Sequence, residues 1–115
     1  MLVNIQIFGK SKCFGTKKAE RFFKERGVKF QAIDLPAKGM SRRELESVLR
    51  AVGDITLLID EKHKEAALVK YLLPDAQFEK LLEIPALLRT PIVRNGQKAT
   101  VGEAEAVWKQ WIAEG

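Results

Sequence analysis

A lone cysteine, Cys13, lies between a strand-like run and a helix-like run, with Lys12 before it and Thr16, Lys17 and Lys18 after it. The chemistry open to such a group is that of a thiolate, the form of cysteine that attacks disulfides and oxyanions. The free N–H groups of a helix start carry partial positive charge, and the lysines add full charges. Both favour the ionised sulfur. A lone cysteine is otherwise a small apolar core filler; its place at a helix start among bases is what argues for reactivity. The lysines either stabilise the thiolate and an incoming anion or stay ordinary solvated charges. Thr16, one turn on, either donates its hydroxyl to the sulfur or caps the helix locally.

The elements that must position Cys13 follow from periodicity. Val3, Ile5 and Ile7 alternate with polar residues, the period of a strand with one buried face. A turn at Gly9-Lys10-Ser11 leads to a helix over about 15–26, with Ala19, Phe22 and Phe23 at helical spacing and Gly27 as its stop. Residues 28–34 alternate again, which makes a βαβ unit and hence a parallel strand pair. Leu35-Pro36-Ala37-Lys38-Gly39 breaks the pattern, and Ser41 followed by Glu44 is a capping-box spacing that starts a helix over 41–52.

Residues 54–88 read as helical and amphipathic without strand-like alternation: one helix over 61–73 with Ala66, Leu68, Val69 and Leu72 on one face, and another over 76–83 capped by Asp75. Asn95-Gly96 between two short apolar runs predicts a hairpin with a type I′ turn. A last helix over 103–112 carries Val107, Trp108, Trp111 and Ile112 as its apolar stripe. The order βα, β, helices, ββ, α predicts a mixed α/β sheet with helices on its faces.

Composition narrows the function. The chain has 115 residues and is 46% apolar and 30% charged, enough for one packed core and an ordinary globular balance. No apolar run is long enough to span a bilayer, and the N-terminus lacks the pattern of a secretory signal. One cysteine precludes an internal disulfide; together these suggest a reducing cytoplasm. The net charge of +5 suits small anions or a mildly acidic partner surface, but it is not gathered into a basic tail, which argues against nucleic acid. No metal-ligating cluster or Gly-rich nucleotide loop is present. His63, within Glu61-Lys62-His63-Lys64-Glu65, reads as a surface residue. Arg89 and Arg94 are candidate oxyanion contacts, although strand arginines usually face solvent.

Three segments together resemble the arsenate reductase (ArsC)/Spx family, a thioredoxin-like branch with a helical insertion: Lys12-Cys13-x-x-Thr16-Lys17-Lys18-Ala19; Gly39-Met40-Ser41-Arg42-x-Glu44-Leu45; and Leu87-Leu88-x-Thr90-Pro91-Ile92-Val93-x-Asn95-Gly96. The match is nearest to the single-cysteine ArsC-type proteins. The resemblance implies one thioredoxin-like domain over 1–115 with the insertion at about 40–88, and a cis-proline, Pro91, beside Cys13. It implies Cys13 as nucleophile on an arsenate-like oxyanion or a mixed disulfide. The substrate would be held by Lys12, Gly15, Thr16 and Lys17 on one side and Arg89, Thr90 and Pro91 on the other.

No resident cofactor is implied; the reductant would be glutathione, another low-molecular-weight thiol or a glutaredoxin. The alternative is an Spx-like regulatory module that binds a protein such as RNA polymerase without catalysis. The chain departs from the arginine set of the family's arsenate reductases: Thr90 precedes Pro91, Leu57-Leu58-Ile59-Asp60-Glu61 holds no arginine, and the nearest base beyond the hairpin turn is Lys98. Neither lysine nor threonine reproduces the two-point grip of a guanidinium.

Overall fold

Period-two alternation puts Ile5 and Ile7 on one side of the first strand and Phe8 on the other, and each side has its own core. A computed structural model describes residues 4–115; the expected start of the first strand at Val3 lies outside the described residues. The strands β1 (Ile5–Gly9), β2 (Phe30–Asp34), β3 (Ile92–Asn95) and β4 (Lys98–Val101) form a sheet of order β2-β1-β3-β4. β1 runs parallel to β2 and antiparallel to β3, and β3 and β4 form the hairpin.

Helix α1 (Phe14–Glu25) joins β1 to β2. Helices α2 (Leu35–Lys38), α3 (Arg42–Val52), α4 (Ala66–Lys70) and α5 (Pro74–Glu83) lie between β2 and β3, and α6 (Glu105–Glu114) follows β4. Ile5, Ile7 and Val93 pack with Ala19, Phe22, Phe23, Trp108 and Trp111 on the face covered by α1 and α6. Phe8 and Ile92 pack on the opposite face with Leu35, Leu45, Leu58, Leu81 and Leu88. Among the described residues no helix is long and apolar enough to cross a membrane.

Helix α3 starts as its spacing predicts. The Ser41 hydroxyl accepts from the Glu44 amide at 3.1 Å, and the Glu44 carboxylate accepts from the Ser41 amide at 2.9 Å. Gly53, left-handed at φ +89°, ends it. Ser41→Ala is expected to lower stability by about 1 kcal/mol in chemical denaturation; a loss below about 0.3 kcal/mol would show that the cap contributes little.

Several expectations are corrected. Leu35–Lys38 is one helical turn rather than a break, with Pro36 at its start where a missing N–H is harmless. The stretch expected as a helix over 61–73 is helical only at Ala66–Lys70, because the Asp60 carboxylate accepts from the Lys62 amide at 2.9 Å and turns the chain before it. Ala66 and Val69 are buried as expected, whereas Leu68 is 70% exposed and Leu72 lies at the surface.

Asp75 does not cap α5: Pro74 already occupies its first turn and Leu73 stands at the cap position. The hairpin loop is Gly96-Gln97 with positive φ only at Gly96, the type II′ pattern, and Asn95 stays in the strand. Helix α6 begins at Glu105 because Gly102 (φ +78°) and Ala104 are not helical, and Val107 faces solvent.

Candidate functional site around Cys13

The site is built where β1 hands the chain to α1. Gly9 ends β1 under Thr16: a Cβ at Gly9 would lie 2.1 Å from the Thr16 methyl, so only glycine lets the helix start approach. The Cys13 amide donates to the Lys10 carbonyl at 3.1 Å, and the Cys13 carbonyl accepts from the Lys17 amide at 3.2 Å. Cys13 is therefore the N-cap of α1, at the positive end of a twelve-residue helix. Thr16 is buried, and its hydroxyl oxygen accepts from the Lys10 amide at 3.3 Å.

The opposite wall comes from the approach to β3. Thr90–Pro91 is a cis peptide, and the Cys13 thiol donates to the Thr90 carbonyl at 3.6 Å. A Cβ at Gly15 would lie 2.8 Å from Cδ of Pro91 and 3.7 Å from the Cys13 sulfur, so Gly15 admits the proline against the helix start.

Cys13 is half-buried. Burial pushes its pKa up, but hydrogen bonds from the Thr16 and Thr90 hydroxyls and from the Thr16 and Gly15 amides outweigh it and hold the thiol below its ordinary value. No lysine is among the groups that lower it, so the shift comes from hydroxyls and amides rather than from the cations the sequence suggested. The sulfur opens on a hollow of about 400 Å³ lined by Lys10, Lys12, Lys62, Arg89, Asp60 and Thr90, with Phe14 at its edge. Four cations against one carboxylate make it a place for an anionic group. Asp60 is held below the usual carboxylate range: burial opposes this, and hydrogen bonds from Lys10 and the Lys62 amide prevail.

The structure thus gathers Cys13, Lys12, Gly15, Thr16, Arg89, Thr90 and Pro91. Lys17 lines a neighbouring hollow of about 310 Å³ with Glu20 and Asp34, and Lys18 faces Glu103 at 3.5 Å. Arg94 lies elsewhere on β3, donating to Gln6 at 3.0 Å and facing Glu44 at 3.7 Å. Lys98 pairs with Glu114 at 3.2 Å, and His63 accepts from the Glu65 amide through Nδ1 at 3.1 Å. A larger groove of about 770 Å³ between α3 and α5 is lined by Arg42, Leu49, Phe78 and Glu79 among others, with no thiol, hydroxyl or imidazole.

Lys10, Asp60 and Lys62 were not singled out from sequence. Lys10 reads there as turn and Asp60 as the end of an apolar run; their contact spans 50 residues and leaves no local signal.

A family model described as the ArsC family matches residues 8–111. The global transcriptional regulator Spx 2 of Oceanobacillus iheyensis is 27% identical over 96% of this chain and 84% of its own length. An ArsC family related protein from Bacteroides fragilis superposes with a TM-score of 0.84 at 14% identity, covering 94% of this chain and 97% of that one. An arsenate reductase from Vibrio cholerae superposes with a TM-score of 0.78 at 19% identity, covering 98% of each chain.

Proposed function

The chain belongs to the ArsC family and has a thioredoxin-like fold, and from that premise we propose that it is a single-domain, thiol-dependent oxidoreductase that reduces mixed disulfides through Cys13. The observation that carries this reading is the sulfur itself, at the N-cap of α1, partly exposed, donating to the Thr90 carbonyl at 3.6 Å, with its pKa held below the ordinary thiol value by the neighbouring hydroxyls and amides.

In the first step the Cys13 thiolate attacks the glutathione sulfur of a mixed disulfide. A Cys13–glutathione disulfide forms as the substrate's S–S bond breaks, and the leaving thiolate takes a proton from water. With no second cysteine in the chain, an external thiolate must attack the Cys13-bound glutathione. Glutathione, another low-molecular-weight thiol or a glutaredoxin would serve, and the Cys13 thiolate returns as a new disulfide leaves. Net, one disulfide is exchanged for another: the substrate sulfur is reduced to a thiol, and the one external thiol is oxidised into the departing disulfide with the transferred glutathione. On this reading Lys12 and Arg89, which line the hollow, would neutralise the carboxylates of a thiol tripeptide, and Gly15 and Thr90, backed by Thr16 and Pro91, would align its sulfur beside Cys13.

A mixed disulfide is favoured over arsenate because Arg89 is the one guanidinium at the hollow. A tetrahedral oxyanion bound through scattered ammonium groups lacks two-point contacts. The test offers the reduced protein a glutathione mixed disulfide and, separately, arsenate, each with excess glutathione and with glutaredoxin added in parallel. Disulfide turnover is expected, with arsenate turnover roughly a hundredfold lower or absent. Equal or faster arsenate reduction overturns the choice of substrate; activity on neither overturns the enzymatic reading.

The second reading, a regulatory protein-binding module, is favoured by the 27% identity with Spx 2 along nearly the whole chain. RNA polymerase is the partner to offer. Capture that is unaffected by Cys13→Ala, together with no turnover, would establish it.

A further inference from the structure

We propose that Lys10 and Asp60 form a latch that positions the Thr16 hydroxyl for the Cys13 sulfur, so that the thiol is tuned from the segment between β2 and β3. The proposal rests on Cys13 being the attacking group. The Lys10 ammonium donates to the Asp60 carboxylate at 2.7 Å and to the Ala86 carbonyl at 2.8 Å, and the two ion-paired side chains are only 21% and 24% exposed.

Asp60 is a fixed anchor. Its other oxygen accepts from the Lys62 amide at 2.9 Å, its amide donates to the Leu87 carbonyl at 2.7 Å, and its neighbour Ile59 bridges to Leu88. The Arg89 amide donates to the Leu58 carbonyl at 2.8 Å, tying the same two stretches together just before Thr90. One ammonium therefore joins the three pieces of chain around the hollow: the loop before α1, the turn at Asp60, and the approach to Pro91.

The backbone of Lys10 carries this to the sulfur. A hydroxyl has one proton and two lone pairs. The Lys10 amide takes a lone pair of the Thr16 hydroxyl at 3.3 Å, which leaves its proton for another acceptor. The Lys10 carbonyl accepts from the Cys13 amide at 3.1 Å, so one residue holds both the cysteine and the threonine one turn on. The Thr16 side chain is among the groups that lower the Cys13 pKa. The Thr16 methyl group packs closely over Gly9, and the residue is buried. Lys10 is thus a positioning residue, acting on Cys13 through Thr16.

Charge acting through space is the competing explanation. The charged groups facing Cys13 are Lys10 and Lys12 from the loop, Asp60 and Lys62 from the turn, and Arg89 beside Thr90. The two accounts differ in sign for Asp60. Removing a nearby negative charge would lower the thiol pKa; breaking the latch would raise it.

The experiment measures the rate of Cys13 alkylation by iodoacetamide against pH in the full chain, with circular dichroism to verify folding. Lys10→Met and Asp60→Ala are both expected to move the midpoint upward and to slow the reaction at pH 7 by roughly tenfold. Lys10→Arg, which keeps a donor for Asp60 and tests the latch even if Asp60→Ala does not fold, is expected to recover most of that rate. In a Thr16→Val background, Lys10→Met is expected to add no further shift.

A midpoint that falls or stays fixed in Asp60→Ala overturns the latch, as does a Lys10→Met effect that persists in full without Thr16. A wild-type midpoint no lower than that of a free thiol overturns both the latch and the catalytic reading. A lowered, latch-dependent midpoint without disulfide turnover supports the latch and removes only the catalytic reading.

Discussion

Cys13→Ser is expected to abolish mixed-disulfide reduction, with a loss of at least about 10³-fold. The serine hydroxyl keeps the size and position of the thiol but stays un-ionised at neutral pH, and the chain holds no second cysteine to substitute for it. The pH dependence is the signature of the mechanism. Because the Cys13 pKa lies below its ordinary value, wild-type activity should reach its plateau at a lower pH than a free thiol would. It should be lost as pH falls through the folded-state pKa.

The same shift has a stability counterpart of fixed sign. A depressed pKa means that the fold favours the thiolate, so Cys13 adds stability above the unfolded-state pKa, and that contribution fades as pH falls through the folded-state value. Cys13→Ser should remove this pH-dependent increment while leaving the fold intact at low pH. A serine variant that retains more than a few per cent of wild-type turnover would mean that another group performs the chemistry. A pH-independent wild-type rate would mean that ionisation of this sulfur does not limit it.

What could be read from the residues alone was whatever has a local physical cause. The alternation of β1, the stripe of α1 through Ala19, Phe22 and Phe23, and the Ser41–Glu44 box each depend on neighbours within a turn or two, and each stands where the spacing puts it. The wall facing Cys13 came from resemblance instead, since nothing local to Thr90-Pro91 states which loop it meets. The errors occurred where distant contacts decide.

Asn95 is the clearest case. Its dipeptide with glycine favours a type I′ turn, yet it pairs with Ile5 and Lys98 in the sheet, and its side chain accepts from the Asn4 amide at 3.1 Å. Those contacts keep Asn95 in the strand and move the loop on by one residue. The segment over 61–73 fails for a related reason: its helical pattern is real at Ala66 and Val69, but Asp60 is committed to Lys10 and to a turn. The site inherits that limit, since two of the hollow's five charged groups, Lys10 and Asp60, take their roles from a partner far along the chain.

Trp108→Ala carries the largest expected effect on stability, about 3–5 kcal/mol. Trp108 is fully buried, and its ring centroid lies 5.4 Å from that of Phe22 and 5.6 Å from that of Phe23. It therefore joins α6 to α1 over the Ile7 and Val93 face of the sheet. Its indole N–H donates to the Thr100 hydroxyl at 2.9 Å, which fixes the ring against β4. Alanine would remove the ring contacts and that bond together and leave a cavity between α6, α1 and the sheet. Against the roughly 5–15 kcal/mol that holds a typical domain folded, this is a large fraction.

Trp108→Phe keeps most of the apolar contact and loses the bond to a hydroxyl that water can reach, so its expected cost is only about 1–2 kcal/mol. Urea unfolding under reducing conditions, with the slope compared between variants, measures both. The midpoint of Cys13 alkylation should stay at its wild-type value in whichever variant remains folded, because Thr16 and Thr90 belong to the other end of α1 and to the approach to β3. A loss below about 1.5 kcal/mol for the alanine variant would show that α6 is not anchored through this ring. A shifted alkylation midpoint would show that the two ends of α1 are mechanically coupled, and the thiol's environment would then depend on the packing of the whole helix.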